Sequence, residues 1–345
     1  MADKKLFATS VPYFSEPLFS SNARYLWGAV NEGQMGSKMF ELRNALSIFW
    51  ASLTENVVVV DSTPRSGLIG LCLAALVPAR FRAKILFHGE MYAPDTGFAY
   101  RVQRAMMQFA DRAIDKYLLI AGEEVTAFPE IWGVPAGKME YIPFFWTIKV
   151  DEIDAELKRG DYVFAGGDSF RDYNALVEAA EEMPEIRFVI ATRRHLQDTT
   201  LPPNVTAGPV PREEFMSTLC GAGAVVVPVD RDVRRAVGQQ TYLNAMRLGK
   251  PTVVTDTVGV RDYIVDGETG FIVDGSKEDF LRTLRRIFDP AEASAVEAIA
   301  VQGQAYAADL SFERHAREIV ASVQRVAGQA PRGPRIGGAA ANGNP

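Results

Sequence analysis

The stretch Gly238-Gln-Gln-Thr-Tyr-Leu-Asn-Ala-Met-Arg-Leu-Gly-Lys-Pro251 predicts a helix that begins and ends at a glycine. It follows the apolar run Ala224–Pro228 and leads at once into a second apolar run, Pro251–Thr255. A strand, a helix and a strand in this order predict one unit of a parallel α/β sheet. The start of such a helix, at Gly238, offers free backbone N–H groups and the positive end of a dipole, which suit a diphosphate. From these residues alone, an ordinary helix between glycines is the simpler interpretation.

The same alternation of apolar runs and helical stretches extends along the chain. We predict strands at 6–10, 57–60, 84–87, 117–120, 139–142, 162–165, 186–191, 224–228, 251–255 and 271–273. Helices are predicted at 38–53, 68–76, 98–110, 123–131, 172–183, 212–219, 239–248, 277–288, 292–307 and 312–326. Continuous apolar strands between helices are typical of parallel sheets that are covered on both faces.

The pattern predicts two Rossmann-like domains, 1–148 and 162–307, which are joined by a polar linker at 149–161. If two such domains face one another, the carboxyl ends of both sheets meet at one cleft, where ligands bind. Residues 308–330 predict a C-terminal helix that could pack back on the first domain. The tail 331–345 is rich in Pro, Gly, Ala and Asn, which predicts disorder.

Composition favours a cytoplasmic protein without a nucleic-acid partner. The chain has 345 residues, enough for two cores, and a net charge of −6, which argues against binding to phosphates over a broad surface. Its two cysteines predict no disulfide framework. The N-terminus lacks the apolar region of a signal peptide, and no apolar stretch is long enough to span a bilayer.

Two runs carry a resemblance to a known family. They are Asn244-Ala-Met-Arg-Leu-Gly-Lys-Pro-Thr-Val-Val-Thr-Asp256 and Gly259-Val-Arg-Asp-Tyr-Ile-Val-Asp-Gly-Glu-Thr-Gly-Phe-Ile-Val273. Together they resemble the retaining GT-B glycosyltransferases, the family that includes sucrose and mannosyl transferases. The resemblance implies the GT-B fold, two facing Rossmann-like domains with parallel sheets. It also implies retaining, metal-independent transfer of a hexosyl or related sugar from a nucleotide-diphosphate sugar, with no cofactor, to a carbohydrate, lipid-linked or small-molecule acceptor.

The resemblance assigns donor binding to the second half of the chain. The run Phe164–Ala179 is similar to the family's first strand, loop and helix of that domain, and it places Arg171 where the family has a diphosphate-binding lysine. The family's usual Gly-Arg is Gly167-Asp168 here, which removes a second cation that Arg171, Arg193 or Arg194 could replace. The predicted donor-binding residues are Gly167, Arg171, Arg193, Gly238, Gln239, Gln240, Thr241 and Asn244.

Two acidic positions of the family are changed. The family usually shows two glutamates, one near the sugar and one on the donor ribose, where this chain has Ala236 and Asn244. Asn244 could still form a hydrogen bond with a hydroxyl, but as an uncharged amide. Two alternatives therefore stay open: a nucleotide-sugar 2-epimerase or hydrolase on the same fold, and a non-catalytic subunit that binds a nucleotide.

The first half of the chain is expected to hold the acceptor. Phe87-His-Gly-Glu90 follows a predicted strand and matches the family's cleft histidine, which makes His88 the predicted catalytic residue. Glu90, and Gly36 in a glycine-rich turn, are predicted on the acceptor side. The aromatic-rich residues 11–50 could line an acceptor groove or contact a membrane surface peripherally, although core packing explains most of them.

A metal-dependent alternative rests on Asp230-Arg-Asp232, which resembles the Asp-x-Asp motif of the GT-A glycosyltransferases. Paired carboxylates can hold Mn²⁺ or Mg²⁺ against a diphosphate. In the GT-A fold the motif belongs to an N-terminal nucleotide domain, whereas here it comes late in the chain. The sequence therefore predicts no metal site.

Overall fold

The computed structural model describes residues 5–31, 33, 35–63, 65–89, 92, 97–148, 160–194 and 201–328. These residues form two compact units. The first runs up to Ile142 and includes the residues from His315 onward, and the second is Pro143–Arg314. Each unit contains a six-stranded sheet whose strand pairs are all parallel, so the predicted α/β class is confirmed. Residues 149–159 of the predicted linker and the predicted tail lie outside the described residues.

The sheet of the first unit has the strand order β2-β1-β3-β4-β5-β6. Its strands are β1 (Phe7–Thr9), β2 (Ala23–Tyr25), β3 (Val57–Asp61), β4 (Lys84–His88), β5 (Lys116–Leu119) and β6 (Met139–Tyr141). Its helices are α1 (Pro17–Asn22), α2 (Trp27–Val30), α3 (Lys38–Thr54), α4 (Arg65–Ala75), α5 (Phe98–Ala110) and α6 (Glu124–Trp132). The last helix of the chain, α12 (Phe312–Ala327), enters this unit at His315.

Alternation along β3 shows how both faces of this sheet are covered. Val58 and Val60 belong to one core cluster, with residues of α3, α4, α5 and α6. Val57 and Val59 point to the other face, where they join apolar residues of α12 such as Ile319. A strand that is buried on both faces reads as a continuous apolar run, which is why the sequence revealed it.

The second sheet has the order β12-β11-β10-β7-β8-β9. Its strands are β7 (Tyr162–Gly166), β8 (Arg187–Ala191), β9 (Val205–Gly208), β10 (Ala224–Val227), β11 (Thr252–Thr255) and β12 (Phe271–Val273). Its helices are α7 (Asn174–Glu181), α8 (Arg212–Gly221), α9 (Gln239–Arg247), α10 (Lys277–Phe288) and α11 (Ala293–Ala308). The chain proceeds from β7 towards one edge and from β10 towards the other, so a topological switch point lies between these two strands. Ligands of open α/β sheets bind at such points.

Two strands were not predicted, β2 and β9. Each lies at the edge of its sheet, and each contains exposed or half-buried positions. An edge strand needs fewer apolar residues than a central strand, so its sequence carries little of the apolar signal. The predicted helices at 98–110 and 277–288 are confirmed at both ends.

Candidate functional site

The loops that follow β7 and β10 lie side by side at the switch point of the second unit. The backbone N–H of Asp172 donates to Pro228 O at 3.0 Å, and that of Asp230 donates to Phe170 O at 3.0 Å. Between these bonds, Arg171 forms an antiparallel bridge with Val229. Phe170 has a φ of +51°, in the left-handed region that non-glycine residues rarely occupy. The pairing of the two loops therefore fixes the backbone on both sides of Arg171.

Arg171 is a buried cation that forms no ion pair with any carboxylate in the described ranges. It is 5% exposed, and its Nη1 donates to the backbone oxygen of Ser169 at 2.8 Å. Among the described residues, no Asp or Glu lies within 4.0 Å of its guanidinium. Burial lowers the pKa of Arg171, because it disfavours the charged form. A buried charge with no close counterion among the described residues is costly, so this position fits an anionic ligand that would neutralise it.

Two glycines make room for this guanidinium. A β-carbon at Gly167 would lie 3.1 Å from Nη2 of Arg171, and one at Gly238 would lie 3.3 Å from the same atom. Both glycines have positive φ, +119° and +84°. Nη2 makes no hydrogen bond to any described residue, while Nε and Nη1 bond to the β7 loop. Both hydrogens of Nη2 are therefore without an acceptor among the described residues.

Gly238 is also the N-cap of α9, the nine-residue helix that the sequence predicted at this point. In the part of the chain that the structure describes, the backbone N–H groups of Gln239 and Gln240 donate to no acceptor. The Gln239 side chain is 4% exposed, and its Nε2 has no hydrogen-bond partner. The Thr241 hydroxyl likewise has no hydrogen bond to a described residue. Free donors at the positive end of a helix dipole, beside Arg171, form an anion-binding arrangement.

Arg193 lies at the carboxyl end of β8 and is held by Asp168. The Asp168 carboxylate accepts from the backbone N–H and from Nε of Arg193, both at 2.7 Å, and from the Thr192 hydroxyl at 3.0 Å. Partial burial alone would raise the pKa of Asp168, but these hydrogen bonds hold it below the usual value. Asp168 thus positions Arg193 and holds a cation at the carboxyl end of β8.

Asn244 is turned towards Thr147, a residue that the sequence did not single out. The backbone N–H of Thr147 donates to Asn244 Oδ1 at 2.7 Å, and Asn244 Nδ2 lies 3.2 Å from Thr147 Oγ1. Gln240 Nε2 donates to the same hydroxyl oxygen at 2.8 Å. Both ends of the Asn244 amide are therefore engaged within the second unit, and its role on a donor ribose stays a prediction.

His88 ends β4 in the first unit and contacts a second histidine. Its Nε2 lies 3.1 Å from Nε2 of His315 on α12, and Tyr13 Oη lies 3.3 Å from that same His315 atom. Burial, together with the nearby His315, lowers the pKa of His88 to about 3. His88 is therefore a neutral imidazole at physiological pH, and only one of the two Nε2 atoms carries the shared hydrogen.

Comparison with known proteins finds a family model and solved structures that are similar to this chain. Residues 159–289 match the family model described as Glycosyl transferases group 1. A glycosyltransferase from Rickettsia africae ESF-5 has a TM-score of 0.68 at 13% identity, covering 95% of this chain and 100% of its own. Anabaena Alr3699/HepE in complex with UDP has a TM-score of 0.66 at 13% identity, covering 92% and 99%. Sucrose-phosphate synthase from Thermosynechococcus elongatus has a TM-score of 0.62 at 14% identity, covering 84% and 78%.

The fold is GT-B. No curated protein sequence is significantly similar to the chain. The matched family segment contains β7, β10 and the whole anion-binding arrangement around Arg171.

The GT-B fold differs from the GT-A fold to which the Asp-x-Asp motif belongs. Asp230 does not face an ion-binding cluster: its Oδ1 accepts from the backbone N–H of Asp232 at 3.0 Å, which closes a local turn. No group of three or more metal-ligating side chains occurs in the described ranges. Within those ranges, no helix is both long and apolar enough to cross a membrane.

Of the two residues predicted on the acceptor side, Gly36 is among the described residues and Glu90 is not. Gly36 lies in an exposed turn just before α3, with a φ of +91° and open space around its α-carbon. Glu90 lies outside the described residues. The structure therefore gives no contact between either residue and His88.

Sequence reasoning missed two residues of these GT-B units, His315 and Thr147. A signal for His315 exists, because it stands in register with the buried positions Ala316, Ile319 and Val323 on α12. A histidine on the apolar side of an amphipathic helix indicates a buried polar contact. Thr147 has no such periodic signal, since it lies in an irregular segment.

Proposed function

We propose that the protein is a glycosyltransferase that moves a sugar from a nucleotide-diphosphate sugar to an acceptor hydroxyl. The observation that carries the proposal is Arg171, a buried guanidinium that forms no ion pair with a described carboxylate and lies beside the N–H groups at the start of α9. The match to the group 1 glycosyltransferase model covers this arrangement, and the similar HepE structure was solved with UDP.

The chemistry needs cationic and dipolar groups at the diphosphate. The bond between the anomeric carbon and the diphosphate oxygen breaks, and the carbon forms a bond to the acceptor oxygen, whose proton passes to the departing diphosphate. Negative charge grows on the diphosphate as this happens. Preorganised donors lower that barrier, and Arg171, Arg193 and the start of α9 can act there without a metal ion.

We assign acceptor recognition to the first unit, with His88, Gly36 and Glu90 as its proposed residues. A neutral imidazole can hydrogen-bond a sugar or acceptor hydroxyl without carrying charge. His88 has the required protonation state, since its pKa is lowered to about 3. Metal independence and retention of anomeric configuration belong to the proposal through the family resemblance.

A second candidate function is nucleotide binding without transfer. It is favoured by Ala236, which is buried and replaces the acid expected near the sugar, and by the engagement of Asn244 with Thr147. In this case the Arg171 arrangement would bind a nucleotide diphosphate, and no sugar would be transferred.

One experiment separates the candidates. The protein is screened by calorimetry and thermal shift against UDP-, GDP-, ADP- and dTDP-sugars, with Arg171→Ala as the comparison. A donor at about 100 times its Kd should raise the unfolding free energy by about 2.7 kcal/mol. Nucleotide release that depends on an acceptor and survives EDTA supports transfer. Binding without release supports the second candidate, donor consumption without an acceptor indicates an epimerase or hydrolase, and absence of binding overturns all three.

A further inference from the structure

The outer surface of α3, α4 and α5 is unusually apolar. Of the fifteen large hydrophobic residues that are exposed in the described part of the chain, eight lie on or directly after these three helices. Trp50 is 67% exposed and Phe98 is 82% exposed. The others are Met39, Leu42, Leu46, Ile69, Leu76 and Val102. A group of exposed apolar residues on neighbouring helices marks an interaction site more often than single exposed residues do.

The exposed apolar residues of α3 lie on a different face of the helix from its core residues. Its inner face is buried through Phe40, Asn44 and Ile48. The exposed residues at positions 39, 42, 46 and 50 are spaced three or four apart, so they form a row on the opposite face of the helix. Because α3 is apolar on both faces, its outer face is suited to a second apolar contact. The packing of α3, α4 and α5 on one side of the sheet leaves that contact on the outside.

The charges on this surface are opposite in sign to the net charge of the chain. Lys38, Arg43, Arg65 and Arg101 are exposed, and none of them forms an ion pair with a described carboxylate. Across α3, α4 and α5 there are five Lys and Arg residues and a single acid, Glu41. Glu41 is half-buried, and its carboxylate accepts from the backbone N–H of Ser66 at 2.8 Å. The whole chain, by contrast, has a net charge of −6.

We propose that the α3–α5 surface binds the anionic face of a lipid bilayer. Exposed leucines, an exposed tryptophan and interspersed Lys and Arg residues are the residue types that interfacial helices place against a membrane. The cations would meet anionic headgroups while the apolar side chains enter the boundary below them. A second copy of the chain is a poorer occupant, since pairing this face with itself would bring two sets of unneutralised cations together. The inference does not depend on the proposed transfer reaction.

The test is co-sedimentation of the full chain with phosphatidylcholine vesicles, with and without phosphatidylglycerol. The protein should sediment with the anionic vesicles only, and raising the salt concentration should release it. Neutralising Arg43 or Arg101 to Gln should weaken binding about fivefold for each charge. Trp50→Glu should abolish binding, whereas Val301→Glu, the same change at an exposed position on α11, should not.

Fluorescence gives a second readout at the same residue. Trp50 is the exposed tryptophan among the four of the chain, since Trp132 is buried and Trp27 and Trp146 are half-buried. Anionic vesicles should shift its emission to the blue, and Trp50→Phe should lose the shift while still sedimenting. Failure of the wild-type chain to bind anionic vesicles at low salt would overturn the proposal. So would equal losses in Trp50→Glu and Val301→Glu, or a dimer in solution that Trp50→Glu dissociates.

Discussion

The guanidinium of Arg171 packs against the α-carbon of Gly238. A β-carbon at Gly238 would lie 3.3 Å from Nη2 of Arg171 and 2.9 Å from Cγ1 of Val227. The glycine that begins α9 therefore serves two purposes: it adopts a φ of +84°, and it lets the buried cation approach the helix start. This contact joins the loops after β7 and β10 in one anion-binding arrangement.

Gly238→Ala should lower both the stability of the protein and its affinity for a nucleotide-sugar. Alanine at positive φ costs roughly 1 kcal/mol, and the added methyl group would also displace Arg171. Gly249→Ala is the matched control, because Gly249 has a φ of +66° at the other end of the same helix and a β-carbon there would lie an ordinary 3.4 Å from Gln304. Unfolding curves and calorimetric Kd values are compared for the two variants. Equal Kd values would remove Gly238 from the donor site.

Arg171→Met should weaken donor binding strongly while it changes the unfolding free energy of the free protein little. The change removes the cost of a buried charge but also removes the donor to two backbone carbonyl groups, so its two effects on stability oppose one another. Turnover should fall by roughly 100-fold or more, as for loss of one preorganised donor. Arg261→Met is the control, since Arg261 is exposed and paired with Asp256 at 2.7 Å. Wild-type turnover in Arg171→Met would show that Arg171 is not in the site.

Asn244→Ala should lower the unfolding free energy by about 1–3 kcal/mol, because it leaves the backbone N–H of Thr147 without its acceptor. Thr147→Val should cost less, since it keeps that bond and loses only the contacts of its hydroxyl. Urea unfolding of both single variants and of the double variant measures the coupling. If the losses of unfolding free energy in the two single variants add up to the loss in the double variant, the two side chains do not stabilise one another.

His88→Asn should make stability less dependent on pH below neutrality. The pKa of His88 is lowered to about 3 in the folded protein, from an ordinary 6.5. As the pH falls, this histidine takes up a proton in the unfolded chain before it does so in the folded protein. The contribution of neutral His88 to the unfolding free energy is therefore complete above pH 6.5 and is lost as the pH falls towards 3. Because of this group, the unfolding free energy changes by at most about 1.4 kcal/mol per pH unit. Urea unfolding at pH 7.5 and 5.0 gives the difference, and identical pH losses in both proteins would contradict the buried neutral imidazole.

Much of the fold and part of the site could be predicted from the sequence. Central strands such as β3 and β10 read as continuous apolar runs, and α9 begins at the predicted glycine. The edge strands β2 and β9 could not be predicted. Each is short and includes exposed or half-buried residues, so it does not read as a continuous apolar run. Of the predicted donor residues, the structure brings Gly167, Arg171 and Gly238 into contact, whereas Asn244 is turned towards Thr147.

The sequence by itself determined the alternation of strands and helices and the glycine at the start of α9, because these depend on residues a few positions apart. Only the tertiary structure decided that β7 lies beside β10, and hence that Arg171 meets Gly238. It alone placed His315 against His88, 227 residues away in the chain. Strand order and helix packing set such neighbours through burial of the whole core, and no local spacing in the sequence encodes them.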